Sequence, residues 1–203
     1  SGEELSLSAD GNIVAIGARE HGDSGHVRIY QWNGTEWIQR GSDIDGETAG
    51  DDSGYSVSLS DDGGIVAIGA VENDDNGNKS GHVRIYQWNT TEWVQLGNDI
   101  NGEAAEDNSG WSVSLSSDGN IAAIGATGND DNGTTSGHVR IYQWNGTEWI
   151  QRGSDIDGEA AADNSGYSVS LSDDGNIVAI GAPGNGENGQ VSGHVRIYQW
   201  AGS

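Results

Sequence analysis

The sequence predicts an all-β chain that folds as a β-propeller built of four-stranded antiparallel blades. The phrase Gly-His-Val-Arg-Ile-Tyr-Gln-Trp occurs four times and ends at Trp32, Trp88, Trp144 and Trp200, at a constant spacing of 56 residues. Each repeat carries several short strand signals separated by turns, and the 34 glycines argue against long helices. A four-stranded unit of this length cannot bury both faces of its sheet alone, so such repeats pack side by side as propeller blades.

Four strands are predicted in the second repeat, at residues 55–60, 65–70, 82–88 and 93–97. The first alternates serine with Val57 and Leu59, which is the period of a half-buried strand. An Asp-Gly turn leads from it into a continuous apolar run, which indicates a hairpin whose second strand is buried on both faces. Small residues in that strand, such as Gly69, let two neighbouring sheets approach closely.

The fourth strand type occurs only three times, beginning at Trp37, Trp93 and Trp149, so the last blade is predicted to lack its outer strand. We expect one propeller or propeller segment over residues 1–203, with approximate repeats 1–53, 54–109, 110–165 and 166–203. An unpaired edge favours association. Either the ring closes as four blades with one short blade, or this edge pairs with another copy or with the rest of a longer protein.

The composition of the chain argues against several kinds of partner and site. The formal net charge is −24, from 32 acidic and 8 basic residues, so the chain should repel nucleic acid and anionic membrane surfaces. No apolar run approaches the roughly 18 residues that a membrane-spanning helix needs, so we expect no membrane insertion. Cysteine is absent, which removes disulfides and thiolate metal sites. The eight Trp and six Tyr are expected to pack in the core and between blades.

The fourth repeat carries a family resemblance. Residues 166–183, Gly-Tyr-Ser-Val-Ser-Leu-Ser-Asp-Asp-Gly-Asn-Ile-Val-Ala-Ile-Gly-Ala-Pro, followed by Gly-His-Val-Arg-Ile-Tyr, resemble the FG-GAP repeat of integrin-α-type propellers. The resemblance implies a propeller fold, an extracellular or cell-surface location and a role in adhesion. Members often carry a calcium loop between the first two strands, but that connection is too short for the loop here. Members also commonly close with seven blades, whereas this chain supplies four.

Two sets of acidic residues are candidate metal ligands, with Ca²⁺ as the expected cation because it binds six to eight oxygens. The first set lies between the fourth strand and the next first strand: Asp43, Asp45, Glu47, Asp99, Asn101, Glu103, Asp155, Asp157 and Glu159. The second set lies in the loop between the second and third strands: Asp74, Asp75, Asp130 and Asp131. The alternative for both sets is that Asp and Ser cap turns by hydrogen bonds to nearby backbone N–H groups.

Catalysis is not expected from the sequence, which predicts that the chain is not an enzyme. Histidine recurs at equivalent positions, two residues before an arginine: His26, His82, His138 and His194. A catalytic histidine usually occurs once, so four copies favour a structural role in which the arginine pairs with an Asp of a neighbouring blade. The sequence also lacks a nucleophile elbow, a phosphate-binding loop and zinc-ligand spacing.

Asn-x-Ser/Thr sequences make five asparagines candidate glycosylation sites in a eukaryotic secretory protein: Asn33, Asn78, Asn89, Asn132 and Asn145. The alternative is that Asn-Gly-Thr simply forms good turns.

Three functions follow from these patterns. The first is an extracellular adhesion module that presents loops from a rigid scaffold to a protein or glycan ligand. The second is a lectin with one sugar site per blade. The third is an assembly protein that self-associates through its last blade.

Overall fold

A computed structural model of the chain describes residues 2–202 and shows an all-β protein without helices in that range. Four antiparallel sheets follow one another along the chain as four blades. Blade 1 contains β1 (Leu5–Leu7), β2 (Ile13–Ala18), β3 (His26–Trp32), β4 (Trp37–Gln39) and β5 (Ile44–Asp45). Blade 2 contains β6 (Ser53–Leu59), β7 (Ile65–Ala70), β8 (His82–Trp88), β9 (Trp93–Gln95) and β10 (Ile100–Asn101). Blade 3 contains β11 (Ser109–Leu115), β12 (Ile121–Ala126), β13 (His138–Trp144), β14 (Trp149–Gln151) and β15 (Ile156–Asp157). Blade 4 contains β16 (Ser168–Leu171), β17 (Ile177–Ala182) and β18 (His194–Gln199).

The propeller fold class is confirmed, including a last blade with three strands. In blades 1 to 3 the first four strands pair in chain order, and a two-residue fifth strand pairs with the third. The fifth strand is not predicted by the sequence, because two residues are too few to show a period. No helix among the described residues is long and apolar enough to cross a membrane.

Each blade has two apolar faces, which we call forward and rear. The forward face of blade 1 is formed by Ile13, Ala15, Val27, Ile29 and Ile44, and it packs on the rear face of blade 2, formed by Val57, Leu59, Val66, Ile68 and Tyr86. The same contact recurs between blades 2 and 3 and between blades 3 and 4. These interfaces make up the core, so each blade depends on its neighbours for burial.

Glycine lets the backbones of neighbouring blades meet near the innermost strands. A Cβ atom on Gly69 would lie 2.2 Å from the carbonyl oxygen of Gly110 in the next blade, and one on Gly125 would lie 2.1 Å from that of Gly166. Both distances are too short for any side chain. The expectation that Gly69 permits close approach of two sheets therefore has a specific cause, which is a backbone carbonyl directly opposite.

The outer faces of the first and last blades are uncovered among the described residues. Leu5 and Leu7 of the rear face of blade 1 are 58% and 60% exposed, whereas the equivalent Val57 and Leu59 are 6% and 7% exposed. Val195 and Ile197 of the forward face of blade 4 are 66% and 69% exposed, whereas the equivalent Val83 and Ile85 are 0% and 2% exposed. The four blades therefore form an open arc and not a closed four-bladed ring.

Candidate functional site

Buried histidines at the start of the third strands lie among the predicted carboxylates. The histidine cluster of blade 2 consists of Glu47, Asp75, His82 and Asp99, whose ligand atoms all lie within 4.8 Å of one another. The histidine cluster of blade 3 repeats it with Glu103, Asp131, His138 and Asp155. Three separate segments supply the carboxylates, so the fold and not the local sequence brings them together. These acidic clusters could hold a metal ion.

The rings of His82 and His138 are buried, and an arginine lies near each of them. Burial, and then the neighbouring Arg84, lower the pKa of His82; burial and Arg140 do the same to His138. Burial also raises the pKa of Glu47. Within residues 2–202 neither ring nitrogen of His82 or His138 has a hydrogen-bond partner. A buried polar group without a partner costs about 1–3 kcal/mol.

The arginines tie each blade to the preceding one, although not through an Asp carboxylate as expected. Nη2 of Arg84 donates a hydrogen bond to the backbone carbonyl of Asp45 at 2.7 Å, and Nη1 lies 3.6 Å from Glu47. Arg140 makes the equivalent bond to the carbonyl of Asn101 at 2.7 Å, and Arg196 donates to that of Asp157. Asp45, Asn101 and Asp157 therefore bind the arginine through main-chain oxygens.

The remaining predicted ligands have other partners. Asp74 and Asp130 accept hydrogen bonds from the backbone N–H groups of Lys79 and Thr135, so these two carboxylates cap their loops. Asp43 accepts hydrogen bonds from Arg28 and Gln39. Together with Asp45 it lies near His26. In blade 4, Glu159 lies near Asp163 and His194. Calcium at any of these positions stays a prediction.

The histidines are not predicted as ligands by the sequence, because their repetition favours a structural role. A usable signal was present in the spacing. The loop before His82 and the loop before His138 both carry Asn-Asp-Asp, whereas the loop before His26 is four residues shorter and lacks it. The loop before His194 carries Glu187 at this position, and the structure does not bring that residue to the histidine, so Asp75 and Asp131 are the loop carboxylates found in the clusters.

A second candidate site is the axial depression, a cleft of about 580 Å³ lined by residues at the inner strands of blades 2, 3 and 4 and by Glu3, Glu4 and Arg19 of blade 1. Tyr55, Trp111 and Tyr167 form an aromatic row along it, with ring centroids 5.0 and 5.7 Å apart. Arg19 lies 4.9 Å above the Tyr55 ring and pairs with Glu3 at 2.6 Å. Burial raises the pKa of Glu4. These aromatic residues line a cleft, in contrast to the expectation that all Tyr and Trp serve packing.

The candidate glycosylation sites differ in the state of the amide nitrogen that would carry the sugar. Asn33, Asn89 and Asn145 are exposed, and their side-chain oxygens accept turn hydrogen bonds from Thr35, Thr91 and Thr147. Asn78 is exposed as well. Nδ2 of Asn132, however, donates to the carbonyls of Gly158 and Glu159, so a glycan there would break a contact between two loops. Glycosylation itself stays a prediction.

The comparisons with known proteins agree on the architecture. The family model described as "FG-GAP repeat" matches residues 43–86 and 101–142, which confirms the resemblance for the second and third repeats. No curated protein matches the sequence. Among solved structures, a crystal structure from Bacteroides uniformis ATCC 8492, provisionally assigned as a 6-phosphogluconolactonase, is similar with a TM-score of 0.63 at 11% identity. The similarity covers 97% of this chain and 49% of that chain, so this chain spans about half its length.

This comparison corrects the prediction that the chain is not an enzyme. The fold is shared with a protein provisionally assigned as a lactonase, so the architecture gives no ground for excluding catalysis. The symmetry argument also fails at the axial depression, because Glu3, Glu4 and Arg19 come from blade 1 alone. At 11% identity the likeness concerns the fold and assigns no reaction. The chain is a repeat β-propeller segment whose residues 43–86 and 101–142 match the FG-GAP repeat.

Proposed function

We propose that this chain is an interaction module that assembles with a second copy of itself through its two uncovered blade faces. The forward face of blade 4 would pack on the rear face of blade 1 of the other copy. The observation that carries the proposal is that Val195 and Ile197 are 66% and 69% exposed, whereas the equivalent Val83 and Ile85 of blade 2 are 0% and 2% exposed. Such exposed apolar faces mark sites of association.

The two faces are complementary because they are the two halves of one repeated contact. Blade 4 offers Ile177, Val195 and Ile197, which correspond to the forward residues Ile65, Val83 and Ile85 of blade 2. Blade 1 offers Leu5, Leu7 and Trp37, which correspond to rear residues of blade 2. A polar contact can also repeat across the copies. At each internal interface a backbone N–H donates a hydrogen bond to a serine hydroxyl of the preceding inner strand; the donors are Leu59, Leu115 and Leu171. Across two copies, the backbone N–H of Leu7 and the hydroxyl of Ser170 would form the equivalent pair.

The contact is heterologous, since two different surfaces meet. Heterologous contacts close into a ring when the rotation allows it and otherwise continue as a filament. Two four-bladed arcs related by a two-fold axis would make two identical contacts and an eight-bladed ring. Blade 4 has three strands among the described residues, so each contact between copies would bury less surface than a contact between two blades of one chain.

Sedimentation velocity over a wide concentration range tests this proposal. We expect a reversible dimer in the wild type and at least tenfold weaker association in the double variant V195D/I197D, which corresponds to about 1.4 kcal/mol. The matched control is V94D, which introduces the same charge at an exposed valine away from both faces. A wild-type chain that stays monomeric at all concentrations contradicts the proposal, as does V195D/I197D associating like V94D.

A second candidate function, adhesion to a glycan ligand outside the cell, is favoured by the aromatic row of the axial depression. Aromatic rings spaced by 5.0 and 5.7 Å offer flat apolar surface beside acidic side chains, the combination that sugar rings need. The extracellular location is inferred from the resemblance to FG-GAP repeats. A glycan array with and without Ca²⁺ tests it. W111A should abolish glycan binding. W32A, which removes a tryptophan at the rim, is the control and should retain the binding. A wild-type chain that binds no glycan with or without Ca²⁺ contradicts this function.

A further inference from the structure

The histidines of blades 2 and 3 need a partner that the described residues do not supply. His82 and His138 are fully buried, and both nitrogens of each ring are without a hydrogen bond within residues 2–202. Nδ1 of His82 faces Oδ2 of Asp75 at 4.0 Å, and Nδ1 of His138 faces Oε2 of Glu103 at 3.8 Å. These separations are too long for hydrogen bonds. They are of the order expected for two ligands that share an ion.

The composition of each cluster selects the kind of ion. Around His82, the carboxylates of Glu47, Asp75 and Asp99 carry three formal negative charges, and Arg84 lies near Glu47 with one positive charge. The negative charge therefore exceeds the positive charge, and the buried Asp51 nearby adds to this excess, which favours a multivalent cation. Calcium prefers oxygen ligands only, whereas an imidazole nitrogen suits zinc and other first-row transition metals.

We propose that each histidine cluster binds one divalent transition-metal ion of the Zn²⁺ type, with the histidine as nitrogen ligand and the carboxylates as oxygen ligands. Zinc bonds to such ligands are about 2.0–2.2 Å long, so ligand atoms within 4.8 Å of one another need only a modest contraction. The side chains of Asp75 and Glu47 have room to move toward the ion, because they are 50% and 42% exposed. His82 is fixed by the β-sheet. The ion would join two blades, since Glu47 follows blade 1 and the other ligands belong to blade 2.

The first and last repeats show why two ions, and not four, are expected. Near His26 the loop aspartate is missing, and Asp43 is held by Arg28 at 2.9 Å. The equivalent Arg84 and Arg140 instead bind backbone carbonyls of the preceding blade. A glutamine hydrogen bond is common to all three blades and reaches Asp43, Asp99 and Asp155. Near His194 the third ligand is Asp163, which accepts hydrogen bonds from Asn185 and from the backbone of Glu159. The loop carboxylate equivalent to Asp75 is Glu187 in the fourth repeat, and it is not among the residues gathered around His194. Among the described residues, the clusters of blades 2 and 3 are therefore the two in which a loop carboxylate lies beside a fully buried histidine.

Isothermal titration of the chelator-treated full chain with Zn²⁺ tests the proposal. We expect about two ions per chain and at least a tenfold weaker affinity in the double variant D75N/D131N. The matched control is D74N/D130N, which removes the same charges from the same loops while an amide oxygen can still cap Lys79 and Thr135. Millimolar Ca²⁺ should not displace the Zn²⁺.

A second readout identifies the nitrogen ligand independently of affinity. Nitrogen-15 NMR of the histidine rings should show shifts of His82 and His138 on addition of Zn²⁺, with His21 unchanged. Equal weakening in D74N/D130N and D75N/D131N would reveal a diffuse acidic surface and overturn the proposal. The absence of about two binding events, full displacement by Ca²⁺ or unshifted His82 and His138 resonances would also overturn it. Circular dichroism of each variant verifies the fold.

Discussion

Single side chains shape the turns between the first two strands of each blade. In blade 1, Oγ of Ser8 donates to Oδ1 of Asp10 at 2.7 Å, and the backbone N–H of Asn12 donates to the same oxygen at 2.9 Å. Ser172, Asp174 and Asn176 repeat this arrangement in blade 4. Hydrogen bonds to the charged form favour ionisation. The serine hydrogen bond, followed by those of Asn12 or Asn176, lowers the pKa of Asp10 and of Asp174 to about 2.

This turn chemistry predicts an acid-sensitive contribution to folding. Because the folded pKa lies below the ordinary 3.8, the stabilisation is present above pH 3.8 and is lost as the pH falls through about 2. Carboxyl carbon-13 NMR should give midpoints near 2 for both residues. In Ser8→Ala the midpoint of Asp10 should rise while that of Asp174 stays unchanged. A wild-type midpoint of 3.8 for Asp10, or no response to Ser8→Ala, contradicts the prediction.

At the scale of elements, the third strand of one blade is fastened to the fifth strand of the preceding blade. Arg84 is 5% exposed, and its guanidinium binds a carbonyl of β5. Lysine offers a compact ammonium group that cannot reproduce the planar fork of arginine. Blade 1 has no preceding blade among the described residues, and Arg28 pairs with Asp43 of its own blade.

Replacing Arg84 by lysine should therefore lower the free energy of unfolding by about 1–3 kcal/mol, since the hydrogen bond from the buried guanidinium to the carbonyl of Asp45 is lost. Arg28→Lys is the matched control, and it should cost less because that ion pair is exposed to solvent. Urea unfolding in the presence of a chelator measures both, so that metal binding does not contribute. Equal losses in the two variants would show that the inter-blade bond contributes nothing of its own.

The long elements were predictable and the junctions between them were not. The bounds of β7 and β8, residues 65–70 and 82–88, agree with the sequence prediction because apolar runs and turn residues mark them directly. The bulge between Ser53 and Ser56 and the two-residue strand β10 have no periodic signal. The histidine clusters were predictable only in part. The Asn-Asp-Asp loops before His82 and His138 are visible in the sequence, but Glu47 lies 35 residues before His82 and only blade packing brings them together.

For the whole molecule, one glycine position of the repeat distinguishes an interface formed on folding, at Gly69, from the proposed interface between two copies, at Gly181. A Cβ added to Gly69 would lie 2.2 Å from a backbone carbonyl oxygen of the next blade, whereas the three atoms nearest to a Cβ on the equivalent Gly181 of blade 4 all belong to Ser168 of the same blade. The Ser168 hydroxyl can rotate away, and a backbone carbonyl cannot. Overpacking of this kind costs about 1–3 kcal/mol.

We therefore expect Gly69→Ala to lower the free energy of unfolding by about 1–3 kcal/mol, with a much smaller loss for Gly181→Ala. If a second copy covers blade 4, Gly181→Ala should instead weaken self-association, because its Cβ would meet the backbone of that copy. Urea unfolding and sedimentation velocity measure the two effects. Gly181→Ala with wild-type association would contradict assembly through this face, and a stable Gly69→Ala would contradict the steric account.

The paired glycines also bear on curvature. Neighbouring sheets approach closely where Gly69 and Gly125 face a backbone carbonyl near the inner strands, while Trp88 and Trp93 fill the space between blades farther out. Each blade is thus a wedge, and its taper is set by the difference in side-chain size between small and large radius. The number of blades that complete a ring then depends on the angle between neighbouring blades. Exchanging a small residue for a large one at either radius should therefore change this angle in every repeat.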